Sequence, residues 1–242
     1  MLKKVLYILW ISVFALLLCF SVKNGSFVSF INSMENRTFD IRQNVIAKSG
    51  VREHNKDIVI VAIDDASYEY ILDHYGEWPL RRDMYAKMVD YIESQKPKTV
   101  AFDLMFVKSM KSAISADNSL VDVFKKYDNV YTSMNLDNQP EDLRKAQQLP
   151  DKLAISPDSV ADNPIEYSNC RIILQGILDA TSHIGMINVS RSDDGVLRKM
   201  PLYLKYNNKY YPQLGYLVAQ GSGMMKKVQS DDEASVILNW YG

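Results

Sequence analysis

The longest uninterrupted apolar stretch of the chain lies near its N-terminus. Val5–Val22 contains no charged residue, and Lys3, Lys4 and Lys23 flank it. A helix of about 20 apolar residues spans the hydrocarbon core of a bilayer, whereas a helix at the edge of a folded core has a polar face. A cleaved signal peptide is the alternative, but its apolar part is usually shorter and ends at a small-residue cleavage site. The pattern therefore predicts a membrane anchor over residues 1–23.

The charges beside this stretch predict its orientation. Two lysines precede the apolar run and one follows it. Basic residues favour the cytoplasmic side of a membrane. We therefore expect a single-pass protein of the cell membrane, with residues 24–242 in the periplasm or at the cell exterior.

Beyond the anchor, apolar positions alternate between helical and strand spacing. Residues 27–47 predict a helix, and the continuous apolar run Ile58–Ile63 predicts a strand that is covered on both faces. Arg82–Gln95 predicts an amphipathic helix that ends before Pro97, and Thr99–Phe102 predicts a second strand. A strand, a helix and a strand at this spacing indicate a right-handed crossover between parallel neighbours.

Later segments continue the alternation around one irregular region. Residues 135–169 hold four of the eight prolines and predict an irregular insertion. The fold class is therefore α/β, with a mixed, largely parallel sheet and flanking helices, preceded by one N-terminal transmembrane helix. The remaining predicted elements are a helix at 120–127, strands at 130–134, 171–174 and 184–189, a hairpin at Asn207-Asn208, a helix at 213–220 and a strand at 235–238.

Composition excludes some classes of function. The chain has 28 Lys and Arg against 29 Asp and Glu, so we expect no nucleic-acid partner. Of its two cysteines, Cys19 lies in the apolar run and Cys170 is alone in the body, so no disulfide is predicted there. Two cysteines do not build a common zinc site. We predict no cofactor and no bound metal.

Carboxylates follow the two strands that we predict to be parallel neighbours. Asp64 and Asp65 come after the first strand, Asp103 follows the second, and Ser67 lies just beyond Asp65. Ligands bind at the carboxyl ends of strands in open α/β sheets, and aspartates gathered there hold a divalent cation in phosphoryl chemistry. In the alternative interpretation, Asp65 and Ser67 cap a helix and Asp64 pairs with an arginine.

The segment between Gly76 and Arg82 combines turn formers with a large ring. Pro79 fixes the backbone before a helix, and we favour Trp78 as part of the core over Trp78 as a ligand platform. Arg82 is expected to form a bidentate ion pair with one of the strand-end carboxylates.

Several motifs of this chain occur in an order and at a spacing typical of one family. They resemble the CHASE2 extracytoplasmic sensor domain of bacterial signalling receptors, over residues 34–242. In three places the chain departs from that pattern, at Arg81, Ser192 and Trp240-Tyr241. The matching motifs are Asp40 and Arg42, Ile63-Asp64-Asp65-x-Ser67, Trp78-Pro79-x-x-Arg82, Ala101 to Phe106, Asp117, Gly185 with Asn188, Asp194-Gly195-Val196-x-Arg198-x-x-Pro201-Leu202, and Ile237-Leu238-Asn239 with Gly242.

The resemblance implies a sensor between membrane helices that lead to a cyclase or kinase output. Because the chain ends at Gly242, we expect no output module in it, and interpret it as the sensor half of a receptor or a relative without output. The expected mechanism is non-enzymatic: an unknown small-molecule or envelope ligand shifts the conformation or a possible homodimer. The predicted polar cluster, which binds the ligand or supports the fold, is Asp64, Asp65, Ser67, Trp78, Arg82, Asp103, Asp194 and Arg198.

Two other functions stay open. One is a membrane-tethered, metal-dependent phosphohydrolase that uses Asp64, Asp65 and Asp103. The other is a non-catalytic interaction protein of the envelope that has no ligand.

Overall fold

The structure is a computed structural model that describes most of the chain. It covers residues 2–23, 26–50, 55–109, 113–138, 148–157, 160–192, 194–223, 225 and 228–238, and in the first two helices it omits the side chains of residues 2, 4–6, 8, 17, 18, 23 and 26–28. The described residues form two compact units, one of the N-terminal residues up to Ile60 and one of Val61–Leu238.

The N-terminal unit consists of two long helices. Helix α1 spans Leu2–Lys23 and helix α2 spans Ser26–Lys48, which confirms the helix predicted at 27–47. Apolar side chains of α1 such as Trp10, Leu16 and Phe20 are exposed. Within the described residues, no helix meets the length and hydropathy of a membrane span. The membrane anchor stays a prediction.

Five α-helices lie in the described part of the second unit, and local sequence explains several of their ends. Helix α3 spans Asp65–Tyr75 and stops at Gly76, whose φ of 73° favours glycine. Helix α4 spans Arg82–Glu93, two residues shorter than predicted. The other helices are α5 (Ile114–Lys126), α6 (Gln175–Ala180) and α7 (Leu214–Gly221), the last capped by the Gln213 side chain.

The strand predicted at Ile58–Ile63 is wrong. Residues 58–64 have no regular secondary structure, and the side chains of Val59 and Ile60 are 81% and 86% exposed. Only Ile63 packs against the core. A continuous apolar run indicates a preference for burial, but a strand also needs a hydrogen-bonding neighbour, and the strand predicted as that neighbour pairs elsewhere.

Strand β2 (Val130–Asp137) organises the main sheet. Strand β1 (Val100–Ala101) lies parallel to it and is connected to it through α5. The crossover predicted from Ile58–Ile63 through Arg82–Gln95 to Thr99–Phe102 is wrong, because its first strand does not form. β1 hydrogen-bonds one edge of β2, where the Phe102 amide donates to the Tyr131 carbonyl at 2.9 Å. The opposite edge of β2 is free for a second neighbour.

Two further strands complete this four-stranded mixed sheet. Strand β4 (Asn169–Arg171) pairs antiparallel with the end of β2, and strand β5 (Ile184–Met186) pairs parallel with its middle. The Thr132 amide donates to the His183 carbonyl at 3.0 Å, so β5 lies on the edge away from β1. The predicted mixed sheet is confirmed, although β1, β4 and β5 are each shorter than expected.

Smaller sheets flank the main one. Strand β3 (Glu166–Tyr167) joins the hairpin of β7 (Tyr203–Tyr206) and β8 (Lys209–Pro212). The predicted turn at Asn207-Asn208 is confirmed, with φ of 48° and 58°, as a two-residue hairpin loop requires. Strands β6 (Lys199–Pro201) and β9 (Ser235–Ile237) form an antiparallel pair.

The predicted insertion, residues 135–169, is described only in part, because residues 139–147 and 158–159 lie outside the described residues. Its described part contains a 3₁₀ helix at Asp151–Leu153. Leu149 and Leu153 are buried in the main core, so this region is packed against the sheet. The core itself lies between β2 and the helices, and its fully buried members include Leu120, Val130 and Ile177.

Candidate functional site

A buried arginine joins three segments that are far apart in the sequence. Arg82, the first residue of α4, is 8% exposed and donates to the carboxylate of Asp117 and to the carbonyl of Lys108. The Ser109 hydroxyl donates to Asp117 Oδ2 at 2.6 Å. The Arg82 guanidinium also lies 5.8 Å from the centre of the Phe106 ring. We call these residues the Arg82 cluster.

The Arg82 cluster holds α4, α5 and the segment after β1 together. Asp117 lies in the first turn of α5, where a negative charge favours the helix. A charge this deeply buried is tolerated only when it is paired and hydrogen-bonded. Arg82 was expected to reach a strand-end carboxylate, and this prediction is wrong because its partner belongs to a helix instead.

A second arginine braces a turn. Arg198 donates to Asp194 through two bonds, Nη1 to Oδ1 at 2.9 Å and Nη2 to Oδ2 at 2.7 Å. The Val196 amide adds a bond of 3.1 Å to Asp194 Oδ1. The Arg198 guanidinium, with this amide, lowers the pKa of Asp194 to about 2. Gly195 between them has a φ of 79°, a left-handed conformation that glycine adopts without strain.

The aspartates after the predicted first strand begin a helix. Asp64 is the N-cap of α3, and its Oδ1 accepts from the Ser67 amide at 2.9 Å and from the Ser67 hydroxyl at 2.7 Å. The Ser67 hydroxyl and amide lower the pKa of Asp64. Asp65, expected to be a cap, is the first residue of the helix and is exposed. Asp103 follows β1 and is exposed as well.

Trp78 is not part of the core, so that prediction is wrong. Its side chain is 45% exposed, and its ring meets the Tyr68 ring edge to face, with centroids 5.1 Å apart. Leu80, two residues later, is the buried apolar residue of this turn. The composition of this turn does not indicate which of its two large apolar residues is buried.

A small cleft opens on the turn between α3 and α4. It encloses about 260 Å³. Arg81 and Asp83 form an ion pair of 3.1 Å on its wall. The cleft combines both signs of charge with apolar surface, and its size suits a small polar molecule, being slightly below that of pockets for drug-sized ligands. The lining residues are Tyr75, Glu77, Leu80, Arg81, Asp83 and Met84.

Most residues of the predicted polar cluster make separate contacts, and Asp65 and Asp103 are exposed. Asp64 pairs with Ser67, Arg82 with Asp117 and Asp194 with Arg198. Across the described ranges, no group of three or more His, Cys, Asp or Glu side chains is arranged to hold a metal ion. In the structure these residues therefore serve as helix caps and as ion pairs that hold elements together.

Sequence reasoning missed part of this arrangement. Asp117 was noted as a motif residue but not placed with Arg82, since nothing in their spacing connects them. Asn188 was likewise noted only as a motif residue. Its side-chain amide pairs with both backbone groups of Leu136, at 2.8 Å and 2.7 Å, and so continues the edge of β2 beyond β5. An asparagine shortly after a strand is the signal that could have suggested this.

Gly185 shows why one motif position needs a glycine. A Cβ placed there would lie 2.4 Å from Leu214 Cα, so the start of α7 approaches β5 too closely for any side chain. The residue is thus a packing requirement of the fold.

Together, the fold and these contacts define an α/β domain in which arginine–carboxylate pairs brace helices and turns and a small cleft lies between α3 and α4. The family model of the CHASE2 domain matches residues 11–242, and the chain belongs to this family of extracytoplasmic sensory domains of signalling proteins. The resemblance noted over residues 34–242 is therefore confirmed. A search of curated proteins and a search of solved structures found no significant match.

Proposed function

We propose that this chain is the sensory domain of a membrane-anchored bacterial receptor, with its folded body outside the cytoplasm. The family match over residues 11–242 carries the proposal, because this family consists of extracytoplasmic sensors. The uncharged stretch Val5–Val22 supports the anchor. The exposed apolar side chains of α1, among them Phe14 and Leu16, are the kind that lipid would cover.

The anchor is tested with the full chain carrying a C-terminal tag in bacterial cells. We expect the protein in the membrane fraction after carbonate washing, and the tag digested by protease added to cells with a permeabilised outer membrane. Phe14→Arg with Leu16→Arg should release the protein, because each charge costs about 2.5–3.5 kcal/mol at the centre of a membrane helix. Leu16→Ile is the matched control. A tag that stays protected, or wild-type protein free in the cytosol, would refute the proposal.

We further propose that a small polar ligand binds in the cleft between α3 and α4. Glu77, Arg81 and Asp83 offer charged groups at its wall. Arg82 follows Arg81 directly and anchors α4 to α5, so a ligand that shifts this turn acts on the Arg82 cluster. Such a ligand binds two arrangements of the domain with different affinities, and it therefore shifts the population towards the arrangement that it binds more tightly.

A non-catalytic role agrees with the contacts of the aspartates. Asp64 is engaged as a helix cap through Ser67. The phosphohydrolase alternative needs Asp64 and Asp103 on one cation, whereas Asp64 Oδ1 is engaged in the cap and, among the described residues, no cluster of three metal-ligating side chains forms.

The ligand site is tested by thermal unfolding of the detergent-solubilised full chain with separate pools of amino acids and polyamines, whose ammonium groups could pair with Glu77. We expect one pool to raise the Tm, because a ligand that binds only the folded state stabilises it. Glu77→Gln should abolish that increase, and Glu69→Gln on the exposed surface of α3 should leave it intact. An increase that persists in Glu77→Gln would place the ligand elsewhere, and no increase with any pool would refute these ligand classes.

A further inference from the structure

The walls of the cleft between α3 and α4 carry more negative than positive charge. Arg81 and Asp83 form an ion pair with each other, whereas Glu77 makes no hydrogen bond or ion pair with the described residues. Two carboxylates and one guanidinium therefore leave one uncompensated negative charge at the cleft. Because binding partners carry complementary charges, a ligand with one net positive charge suits this site best.

The Arg81–Asp83 pair presents opposite charges side by side. Arg81 Nε donates to Asp83 Oδ1 at 3.1 Å, so this bond uses one edge of the guanidinium. The two terminal nitrogens of Arg81 make no hydrogen bond with the described residues, and such a planar fork matches a carboxylate through two bonds. The second oxygen of Asp83 can still accept from a cationic donor. A carboxylate and an ammonium group on one carbon atom fit this pair, because they also lie side by side with opposite charges.

The other lining residues suit a chain that ends in a cation. Leu80 is buried and Met84 is half-buried, so both offer apolar surface to methylene groups, as the stems of lysine side chains require. The Tyr75 ring is 52% exposed at the cleft, and an aromatic ring attracts a cation within about 6 Å of its centre. Glu77 supplies the carboxylate for a second ammonium group.

We propose that the cleft binds an α-amino acid with a basic side chain, such as lysine. Its carboxylate pairs with the terminal nitrogens of Arg81, its α-ammonium group with Asp83, and its side-chain ammonium group with Glu77. This inference rests on the proposed function, because it names the ligand class of the same cleft. A polyamine fits less well, since it lacks the carboxylate and meets Arg81 with a like charge, and a neutral amino acid leaves Glu77 without a partner.

Probes that each lack one charge of lysine test the ligand class. Cadaverine lacks the carboxylate, norleucine lacks the side-chain ammonium group, and ε-aminocaproate lacks the α-ammonium group. Isothermal titration calorimetry of the detergent-solubilised full chain gives the Kd of each probe. We expect lysine to bind most tightly. Each analogue should bind roughly three- to tenfold more weakly, which lies between the effects of losing an exposed ion pair and a desolvated one.

Variants of the cleft assign each charge of the ligand to its partner. Arg81→Gln should weaken the binding of lysine and leave that of cadaverine unchanged or stronger, and Arg81→Lys should restore part of the affinity for lysine. Glu77→Gln should weaken the binding of lysine and leave that of norleucine unchanged. Glu69→Gln, on the exposed surface of α3, is the matched control and should change neither. Near-UV circular dichroism checks that each variant is folded.

The outcomes separate the ligand class from the cleft itself. Cadaverine or norleucine binding as tightly as lysine, with an affinity that Asp83→Asn or Arg81→Gln lowers, would overturn the class and leave the cleft as the ligand site. Lysine binding that Arg81→Gln does not change would overturn it in the same way. Lysine binding that neither Glu77→Gln nor Arg81→Gln weakens would place the ligand elsewhere and refute the proposed cleft. Binding of none of the probes would refute the inference outright.

Discussion

Breaking the Arg82 cluster on one side should destabilise the domain strongly. In Arg82→Met, the Asp117 carboxylate stays buried and loses its cationic partner. Removing one member of a buried ion pair costs about 3–5 kcal/mol, because the remaining charge is uncompensated. For a domain of this size each kcal/mol corresponds to about 2–4 °C. We therefore expect the Tm to fall by roughly 6–20 °C.

A double variant separates the loss of the pair from the cost of an unpaired charge. Arg82→Met with Asp117→Leu leaves neither charge in the interior, and exchanging a buried pair for apolar residues is often nearly neutral. We expect the double variant to be more stable than either single variant. That outcome would show that the pair defines how α4 meets α5 rather than supplying net stability.

The assay is thermal unfolding of the full chain in detergent, read by near-UV circular dichroism. Arg81→Met is the matched control, because the Arg81–Asp83 pair is solvent-exposed and pairs of this kind contribute less than about 1 kcal/mol. If Arg82→Met lowered the Tm no more than Arg81→Met, the reasoning about burial would be refuted. A double variant less stable than both single variants would refute the argument about the unpaired charge.

Three further outcomes follow from single contacts. Asp194 has a pKa of about 2, below its ordinary value near 3.8, so its contribution to stability is present above pH 4 and is lost as pH falls towards 2. When the free energy of unfolding is measured as a function of pH, it should fall less between pH 4 and pH 2 in Asp194→Asn than in the wild type. Gly185→Ala should destabilise the domain by about 1–3 kcal/mol in chemical denaturation, because its Cβ meets the backbone of Leu214 at 2.4 Å. Gly176→Ala meets the Val121 side chain at 2.8 Å rather than backbone and should cost less. With Mg²⁺, the wild type and Asp64→Asn should both show only background turnover of phosphoesters. A magnesium-dependent activity that is present in the wild type and lost in Asp64→Asn would instead favour the hydrolase.

Helices with a clear amphipathic pattern could be predicted from the sequence, and the reason is local. Arg82–Glu93 and the hairpin at Asn207-Asn208 depend on spacing, a stop signal and turn residues that lie within the segment itself. The family resemblance was equally accessible, because it rests on motifs read in order. Local consistency of this kind is what most strongly defines an element.

Pairing between distant segments could not be predicted in this way. The run Ile58–Ile63 has the composition of a buried strand, yet it is exposed and unpaired among the described residues. Arg82 finds Asp117 rather than a strand-end carboxylate because the packing of α4 on α5 decides which charges meet. The sequence supplies the charges, but their partners depend on contacts across many residues.

The energetics of the Arg82 cluster constrain how a ligand in the cleft could signal. Moving a two-state equilibrium from 1:99 to 99:1 needs about 5.5 kcal/mol of differential binding. Separating the buried pair would add about 3–5 kcal/mol to that requirement. The best very small ligands gain about 1.5 kcal/mol per heavy atom. Separating the pair would therefore require about two to three further heavy atoms at that limit from a ligand in a cleft of about 260 Å³. We infer that ligand binding reorients the turn from Trp78 to Arg82 with the ion pair intact, so that α4 and α5 move together.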